Sequence, residues 1–487
     1  MVTEIHELTA LELAAAVRAG ETSPHEVLSH ALNRAERLGP DLGAFITLTP
    51  ELARHHADAA AGAAAERLTA AEHRERPLLG VPCPVKDLSM VAGVPTRAGS
   101  AAVEEVVAEV DDGVVTLLRA AGTMMLGKTN TPEFGLPAYT EPAIAPPARS
   151  PWDPRRSAGG SSGGAAAAVA AGIAPIAHAS DGGGSIRIPA AACGLVGLKP
   201  SRGRVSPGPY GVDGAGFAVH GVLTRDVRDT AAGLDVLAQP WPGDTYTLPG
   251  PRTSFLDACD RDPGRLRIGV LIQPVITDTE VDPECLTAVR ETATLLQELG
   301  HDVEPAPVPF PAKRWSSFEA LWAVLALSAP VAPEAEDRLT PLTRWLRDAG
   351  RSVSGLKYAQ AFNTVQLITR EAAATWAEYD VILSPTLARP PAFVGELRDD
   401  DDPAADFSAQ MAYTPWTSVW NITGWPAVSL PLHWTELPAT GRDEPHGTPL
   451  PIGVMLGGRL GAEEGLLSLS AQLEEARPWR HRRPPIW

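Results

Sequence analysis

The 487-residue sequence predicts an α/β fold in which buried strands alternate with helices. From about residue 78 onward the chain consists of short apolar runs separated by Gly and Pro, such as "LLGVPCPVKDL", "MMLGKTN" and "CGLVGLKP". Helical stretches such as "GVVTLLRAAG" lie between these runs, and this alternation is typical of a sheet covered by helices. With 44% hydrophobic and 21% charged residues, the composition is that of a globular protein with a large core.

The amino-terminal residues 1–75 are predicted to be mainly helical. In the segment "SPHEVLSHALNRAERL", residues 23–38, Ser23 is a suitable N-cap and Pro24 fits the first helical position. The Ala-rich stretch 57–71 continues the helical pattern, and nothing in this region indicates a chemical role.

A strand–helix unit is predicted further along the chain. "RLRIGVL" is a strand candidate, and "DPECLTAVRETATLLQELG" is a helix that Asp282 caps and Gly300 closes. Later strands are predicted in "YDVILSPT", residues 379–386, and "PAVSLPL", residues 426–432. The acidic run "RDDDDPAAD", residues 398–406, is predicted to be a solvated loop.

Charge and cysteine content restrict the partners and the compartment. The net charge of -18 disfavours a nucleic-acid partner, because such binding depends on Lys and Arg that neutralise phosphates. The amino terminus lacks the pattern of a signal peptide, and no apolar run is long enough to span a membrane. The scattered cysteines suit a reducing cytoplasm, where we expect the protein to reside; they are Cys83, Cys193, Cys259 and Cys285.

Eight of the 12 tryptophans lie between Trp315 and Trp434. Two interpretations are open for this enrichment. The rings either pack in the core, or they line an apolar substrate pocket or lid within residues 310–425.

The first of three glycine-rich loops, "GTMMLGKT" at Gly122–Thr129, matches the letters of a phosphate-binding loop. Such a loop must follow a strand and open a helix, so that helix N–H groups reach the phosphate. Here a helix precedes Gly122, and "TMML" is itself a strand candidate. The order therefore argues against nucleotide binding.

The second loop, "GGSSGG" at Gly159–Gly164, precedes the helical run "AAAAVAAG". It matches the nucleophile elbow of α/β-hydrolases with either Ser161 or Ser162 at its centre. The preceding "RSPWDPRRSA" is a poor buried strand, and no downstream histidine has a context that singles it out. The elbow remains an alternative.

The third loop is "SDGGGSIRIPA", residues 180–190. Glycines allow consecutive N–H groups to converge on an anion without obstruction by Cβ atoms. If Ser185 attacks a carbonyl carbon, Gly182, Gly183 and Gly184 are candidates for the oxyanion hole.

Together the second and third loops, with the tail "CGLVGLKPSRGRVSPGP", resemble the amidase signature family. The resemblance extends to "GVPCPVKDLSMVAGVPTRAGS", "LGKTNTPEFG", "WNITGWPAVSLPL" and "PLPIGVMLGG", and so to nearly the whole chain. Within the family, "GGGSIRIPA" and "GLKPSRGRVSPGP" resemble bacterial amidases of the aminohexanoate cyclic-dimer hydrolase kind.

The resemblance implies one domain over residues 1–487, with a mixed central β-sheet covered on both faces by helices. Its parts are the helical region 1–75, a catalytic core at 76–235, and a carboxy-terminal part at 236–487 with a βαβ unit.

The resemblance also implies a Ser, cis-Ser, Lys triad that hydrolyses amides through an acyl-enzyme. By position, Ser185 is the nucleophile, Ser161 is the bridging serine after a cis peptide bond from Gly160, and Lys86 is the base. This chemistry requires no metal or organic cofactor.

Physical chemistry supports these assignments independently. A serine hydroxyl is a weak nucleophile without a base, and a lysine can act as that base only when it is neutral. Lys86 follows the apolar run "GVPCPV", where burial would lower its pKa. A drop of about three pKa units corresponds to roughly 4 kcal/mol. Asp181, Arg187 and Ser162 are expected to support the loops through hydrogen bonds and not to transfer protons.

Gly182 stands where many family members have Thr or Ile, which predicts a looser oxyanion loop. Two other functions remain open, namely a glutamine amidase subunit of a tRNA-dependent amidotransferase and a catalytically silent amide-binding protein. The expected partner is a small amide, which the sequence does not specify as aliphatic, cyclic or aromatic. Homo-oligomers are possible, and no nucleic-acid or membrane partner is expected.

Overall fold

A computed structural model describes residues 4–66, 75–212, 214–436 and 449–487. A mixed sheet of eight strands lies at its centre and is flanked by helices, which confirms the predicted fold class. Residues 67–71 of the predicted Ala-rich helix lie outside the described residues. No helix among the described residues combines the length and the apolar composition needed to cross a membrane.

The strands follow the chain from the amino-terminal region to the carboxy-terminal hairpin. They are β1 (Phe45–Leu48), β2 (Val85–Lys86), β3 (Pro95–Thr96), β4 (Val106–Val107), β5 (Gly127–Thr129), β6 (Arg149–Ser150), β7 (Asp153–Ser157), β8 (Ile176–Asp181), β9 (Val196–Lys199), β10 (Val219–Thr224), β11 (Arg267–Val270), β12 (Asp302–Pro305), β13 (Val381–Pro385), β14 (Ala427–Glu436) and β15 (Pro449–Gly458).

The central sheet has the strand order β12-β11-β13-β15-β14-β9-β10-β8. β11 pairs in parallel with both β12 and β13, whereas the pairs from β13 through β8 are antiparallel. The carboxy-terminal hairpin of β14 and β15 therefore lies between the parallel strands β12, β11 and β13 and the antiparallel strands β9, β10 and β8. A separate three-stranded sheet, β1-β5-β2, carries Lys86 at the end of β2.

The helices surround these sheets. They are α1 (Ala10–Ala19), α2 (Pro24–Leu42), α3 (Pro50–Ala65), α4 (Gly113–Ala120), α5 (Gly163–Ala170), α6 (Arg187–Cys193), α7 (Val227–Leu237), α8 (Phe255–Ala258), α9 (Pro283–Glu298), α10 (Ser316–Ser328), α11 (Pro341–Arg351), α12 (Gly355–Thr375), α13 (Pro403–Tyr413), α14 (Val419–Thr423) and α15 (Glu463–Ala476).

The helices predicted from capping signals are present. Ser23 caps α2 by accepting the N–H of Glu26, and Asp282 caps α9 by accepting the N–H of Glu284. The connection β11–α9–β12 is the predicted βαβ unit, since its two strands are parallel. The short strand β1 in the otherwise helical amino-terminal region was not predicted.

The loop that resembles a phosphate-binding loop forms no such site. Gly122 adopts φ +90° after α4 and so closes that helix, as expected. The strand candidate "TMML" is wrong, because β5 begins only at Gly127, and Met124 forms an isolated bridge to Pro82. Gly127 is required for packing, since a Cβ there would overlap the carbonyl of Thr47 on β1.

The acidic run 398–406 is a loop only in its first half, because α13 begins at Pro403. Asp406 is buried and accepts a hydrogen bond of 2.6 Å from the hydroxyl of Tyr139. The expectation that the whole run is solvated is therefore wrong, since a single position within it serves the core.

Close packing makes one glycine of β15 indispensable. A Cβ at Gly457 would overlap the indole of Trp420, which is itself stacked on Trp376 with ring centroids 5.6 Å apart. We expect Gly457→Ala to destabilise the protein by about 1–3 kcal/mol, because neither ring has room to move. Thermal and urea unfolding measure this change.

Gly465→Ala is the matched control. Gly465 is exposed in α15 and a Cβ there would contact nothing within 4 Å, so this substitution should stabilise the helix by about 0.5–1 kcal/mol. Equal effects of the two substitutions would contradict the packing argument.

Candidate active site

Three loop segments meet at the end of β8. The glycine turn between β8 and α6 carries Ser185, and the loop between β7 and α5 carries Ser161 and Ser162. Lys86 reaches the same place from the end of β2. The structure thus assembles residues that are separated by up to about a hundred positions in the chain.

Lys86 and Ser161 form the shortest polar contact at the centre of the site. The Lys86 ammonium or amine donates to the Ser161 Oγ at 2.7 Å and to the Ser180 Oγ at 3.1 Å. Lys86 is completely buried, and this loss of solvation lowers its pKa to about 7, although the Asp181 carboxylate opposes the shift. A substantial fraction of Lys86 is therefore neutral near pH 7.

The two serine loops are joined directly to each other. The Ser162 N–H donates to the Ser185 carbonyl at 3.3 Å, and the Ser162 hydroxyl donates to the Ser180 carbonyl at 3.2 Å. The Gly160–Ser161 peptide bond is cis, as the resemblance implies. Ser162 thus connects its loop to β8 and to the glycine turn.

Asp181 and Arg187 form a completely buried ion pair across the glycine turn. The guanidinium donates to both carboxylate oxygens at 2.9 Å. Burial alone would raise the pKa of Asp181, but the Arg187 charge and hydrogen bonds lower it to about 2. Asp181 is therefore ionised at neutral pH, and the ion pair fixes the two ends of the turn relative to each other.

Asn421 and Thr417 complete this network, and sequence analysis assigned neither of them a role. The Asn421 amide donates to the Asp181 carboxylate at 2.8 Å and accepts from the Arg187 guanidinium at 2.8 Å. The Thr417 hydroxyl donates to the Gly183 carbonyl at 2.8 Å. Asn421 lies in "WNITGWP", a segment used only as evidence of resemblance, and its contacts join positions 240 residues apart.

The hydrogen bonds of the glycine turn modify the predicted oxyanion hole. The Gly184 N–H already donates to the Asp181 carboxylate at 2.8 Å. The N–H groups of Gly182, Gly183 and Ser185 have no hydrogen-bond partner among the described residues. Asp side chains often accept the backbone N–H of a residue a few positions later in the chain. The spacing of Asp181 and Gly184 in the sequence could therefore have predicted this hydrogen bond.

Trp322 covers the face of Gly182. The indole lies 3.4 Å from the position that a Cβ of Gly182 would occupy, so a larger residue there would meet the ring. We expected Gly182 to loosen the loop because it has no side chain. In the structure the Trp322 ring of α10 lies beside Gly182, and the expectation did not include this contact.

Ser185 lines a pocket that is open to solvent. Its walls are mostly aromatic and aliphatic, and Phe318 stacks on both Trp315 and Trp322. No Asp, Glu, Lys, Arg or His among the described residues lines this pocket. Its apolar lining includes Leu136, Ile188, Ile276, Trp315, Phe318 and Trp322.

The rings of the tryptophan-rich segment occupy two different places in the structure. Trp315 and Trp322 line the pocket next to Ser185. Other rings of the segment pack in the hydrophobic core behind the pocket, namely Trp376, Trp416, Trp420 and Trp425.

The hydrolase-elbow alternative finds no support in the geometry. Ser161 contacts a lysine, and the Ser162 hydroxyl is engaged with a backbone carbonyl, so neither has a histidine partner among the described residues. His178 is buried and accepts the backbone N–H of Lys86 at 3.3 Å. The elbow would need a histidine later in the chain, and one such histidine, His446, lies outside the described residues.

Two remaining features concern metals and thiols. Among the described residues, no group of three His, Cys, Asp or Glu side chains is arranged to hold a metal ion. The four cysteines are free thiols.

Comparison with known proteins identifies the family of the chain. The amidase family model matches residues 26–467. The chain is 35% identical to the 6-aminohexanoate-cyclic-dimer hydrolase of Paenarthrobacter ureafaciens over 492 aligned residues, which cover 96% of this chain and 95% of that protein. The solved structure of a 6-aminohexanoate cyclic dimer hydrolase with substrate superposes with a TM-score of 0.87 at 33% identity, and 99% of each chain is covered.

A bacterial aryl acylamidase of the amidase signature family also superposes, with a TM-score of 0.82 at 26% identity and 98% of each chain covered. Both the family model and the relatives thus extend over nearly the whole chain. We conclude that this protein belongs to the amidase signature family, whose members are hydrolases of carbon–nitrogen bonds in amides.

Proposed function

We propose that the protein hydrolyses a small uncharged amide, with Ser185 as nucleophile, Ser161 as proton-transferring bridge and Lys86 as base. The observation that carries this proposal is the 2.7 Å contact between the Lys86 Nζ and the Ser161 Oγ in a completely buried site. A lysine with a pKa of about 7 can accept a proton at neutral pH.

In the proposed mechanism, the Ser185 Oγ attacks the amide carbonyl carbon while its proton passes through Ser161 to Lys86. Unpartnered N–H groups of Gly182, Gly183 and Ser185 stabilise the oxyanion. When the intermediate collapses, the proton returns through Ser161 to the leaving amine. Water then attacks the acyl-enzyme along the same path, which releases the acid and restores Ser185.

The pocket lining supports an apolar substrate without charge. An ionised ligand would meet no opposite charge there, since no charged side chain among the described residues lines the pocket. This disfavours glutamine, whose ammonium and carboxylate would both lack a counter-charge, and so disfavours the amidotransferase alternative. A cyclic diamide such as the 6-aminohexanoate cyclic dimer, named in the two relatives, is the first candidate.

Aryl amides are a second candidate class. Trp315, Phe318 and Trp322 form a stacked wall beside Ser185, and aromatic groups pack favourably on such a surface. A bacterial aryl acylamidase is among the structural relatives, and this similarity supports the second class.

An amide panel tests the proposal. The panel comprises the cyclic dimer of 6-aminohexanoate, an aryl acyl anilide, hexanamide and glutamine. We expect wild type to hydrolyse a member other than glutamine, and Ser185→Ala to lose roughly 10³-fold or more in kcat. Glutamine as the sole substrate would favour the amidotransferase alternative, and binding without turnover would favour the silent amide-binding protein. Activity that survives in Ser185→Ala would reject the nucleophile.

The pH dependence of hydrolysis tests the base. Because Lys86 must be neutral to accept a proton, kcat/KM should rise with pH up to about 7 and level off above it. The residual activity of Lys86→Ala should lack this rise. A rise centred near about 10.4, the ordinary pKa of lysine, would show that the base is solvated and contradict the assignment.

The free energy of unfolding tests the role of the ion pair between Asp181 and Arg187. Arg187→Met leaves Asp181 buried without a counter-charge, so we expect a loss of about 3–5 kcal/mol in unfolding free energy. Arg228→Met is the matched control, because Arg228 pairs with Asp260 at the exposed surface and should contribute less than about 1 kcal/mol. Urea unfolding of the three proteins measures both values, and similar losses would contradict the role of the buried pair.

A further inference from the structure

Two histidines beside the active site have no function in the mechanism. His178 on β8 is completely buried, and His220 on the neighbouring strand β10 is half-buried. The His178 Nε2 and the His220 Nδ1 are 3.1 Å apart, and the two ring planes differ by only 24°. One hydrogen bond therefore joins the two imidazoles, and its direction depends on which ring nitrogens carry protons.

His178 also connects the base to the strand that leads into the nucleophile turn. The His178 Nδ1 accepts the backbone N–H of Lys86 at 3.3 Å, and the His178 backbone N–H donates to the Pro84 carbonyl at 3.0 Å. Lys86 ends β2 in the three-stranded sheet, whereas His178 belongs to the central sheet. Because β2 has only two residues, it depends on such contacts for its position relative to β8.

The hydrogen-bond partners determine which ring nitrogens carry protons. A backbone N–H can only donate, so the His178 Nδ1 must be unprotonated. A neutral imidazole has one N–H, which in His178 must then be at Nε2, where it donates to the His220 Nδ1. The proton of His220 consequently lies on its own Nε2.

Both imidazoles are neutral at pH 7. Burial lowers the pKa of His178 well below its usual value, and the neighbouring basic groups His220, Lys86 and Lys128 act in the same direction. Burial also lowers the pKa of His220 to about 4, again with a contribution from Lys86. Each ring therefore has one donor and one acceptor, as the two hydrogen bonds require.

The direction of these bonds affects the contact between Lys86 and Ser161. If the proton of His178 were on Nδ1, two donors would face each other at the Lys86 N–H, and the backbone of Lys86 would have to shift. The Lys86 Nζ lies 2.7 Å from the Ser161 Oγ, and proton transfer requires such a hydrogen-bond distance. The acceptor on His220 opposes that shift, because it binds the proton at the His178 Nε2.

We propose that His178 and His220 are positioning residues for the base. His220 holds the proton of His178 on Nε2, so that the His178 Nδ1 accepts the Lys86 N–H and keeps Lys86 within reach of Ser161. This inference rests on the proposed function of the Ser185 site. Neither histidine lines the pocket, so both act through Lys86 and not through contact with the substrate.

Two amide variants of His178 test the contact with Lys86. The amide oxygen of Asn is attached to Cγ, as Nδ1 is in histidine, whereas the amide of Gln lies one bond further out, at the place of Nε2. His178→Asn therefore keeps an acceptor for the Lys86 N–H, and His178→Gln keeps only a donor for His220. With the panel amide that wild type hydrolyses fastest, we expect kcat to fall about 10- to 100-fold in His178→Gln and clearly less in His178→Asn. KM should stay unchanged in both variants.

Variants of His220 test the fixed proton. His220→Leu removes the acceptor, so kcat should fall about three- to tenfold, as expected for one neutral hydrogen bond, and His220→Asn should restore it. His6→Leu is the matched control, because His6 and His30 form another half-buried pair with a 3.1 Å separation of Nδ1 and Nε2, outside the active site. The control should leave kcat at its wild-type value.

Nitrogen NMR of ¹⁵N-histidine-labelled protein measures the tautomer without turnover. The signals that disappear in His178→Asn are those of His178, and we expect them to show a protonated Nε2 and an unprotonated Nδ1 in wild type. A proton on the His178 Nδ1 would overturn the inference.

The kinetics can contradict it as well. A kcat of His178→Gln that equals or exceeds that of His178→Asn would reject the contact with Lys86. An unchanged kcat in His220→Leu, or an equal loss in His6→Leu, would reject the role of His220. Failure of wild type to hydrolyse any amide would reject the proposed function alone, because the tautomer is measured independently of activity.

Discussion

The buried ion pair between Asp181 and Arg187 is the constraint on which the rest of the site depends. Asp181 ends β8 and Arg187 begins α6, so their pairing closes the turn that presents Ser185. A glycine turn has many conformations of its own, and the fixed charges at its two ends select one of them. Because the pair is wholly buried, Asn421 must supply the additional hydrogen bonds that compensate lost hydration.

The charge of Asp181 also acts on the protonation of Lys86. An isolated carboxylate in this place would favour a protonated Lys86, and Asp181 does act in that direction. The burial of Lys86 outweighs this attraction and leaves the lysine partly neutral at pH 7. Asp181 therefore closes the turn through Arg187 and also acts on the protonation of Lys86.

Local sequence signals predicted the parts of the molecule that local interactions determine. Capping residues located α2 and α9, whereas Lys86, Ser161 and Ser185 followed from the resemblance to the amidase signature family, in segments that the structure brings together. Asn421 and Trp322 act through contacts between distant segments, and no pattern around them reveals the partner. The hydrogen bond from the Gly184 N–H to Asp181 is different, because these two residues are only three positions apart and their spacing could be recognised in the sequence.

The absence of charged side chains from the described lining of the pocket has a consequence for what happens after the bond is broken. Amide hydrolysis turns one neutral molecule into an acid and an amine, and the acid and any alkyl amine ionise in water near neutral pH. Walls of Trp315, Phe318 and Ile188 offer these ions no counter-charge, so their affinity for the pocket falls as soon as they form. The lining that admits the substrate thereby promotes product release and opposes resynthesis of the amide.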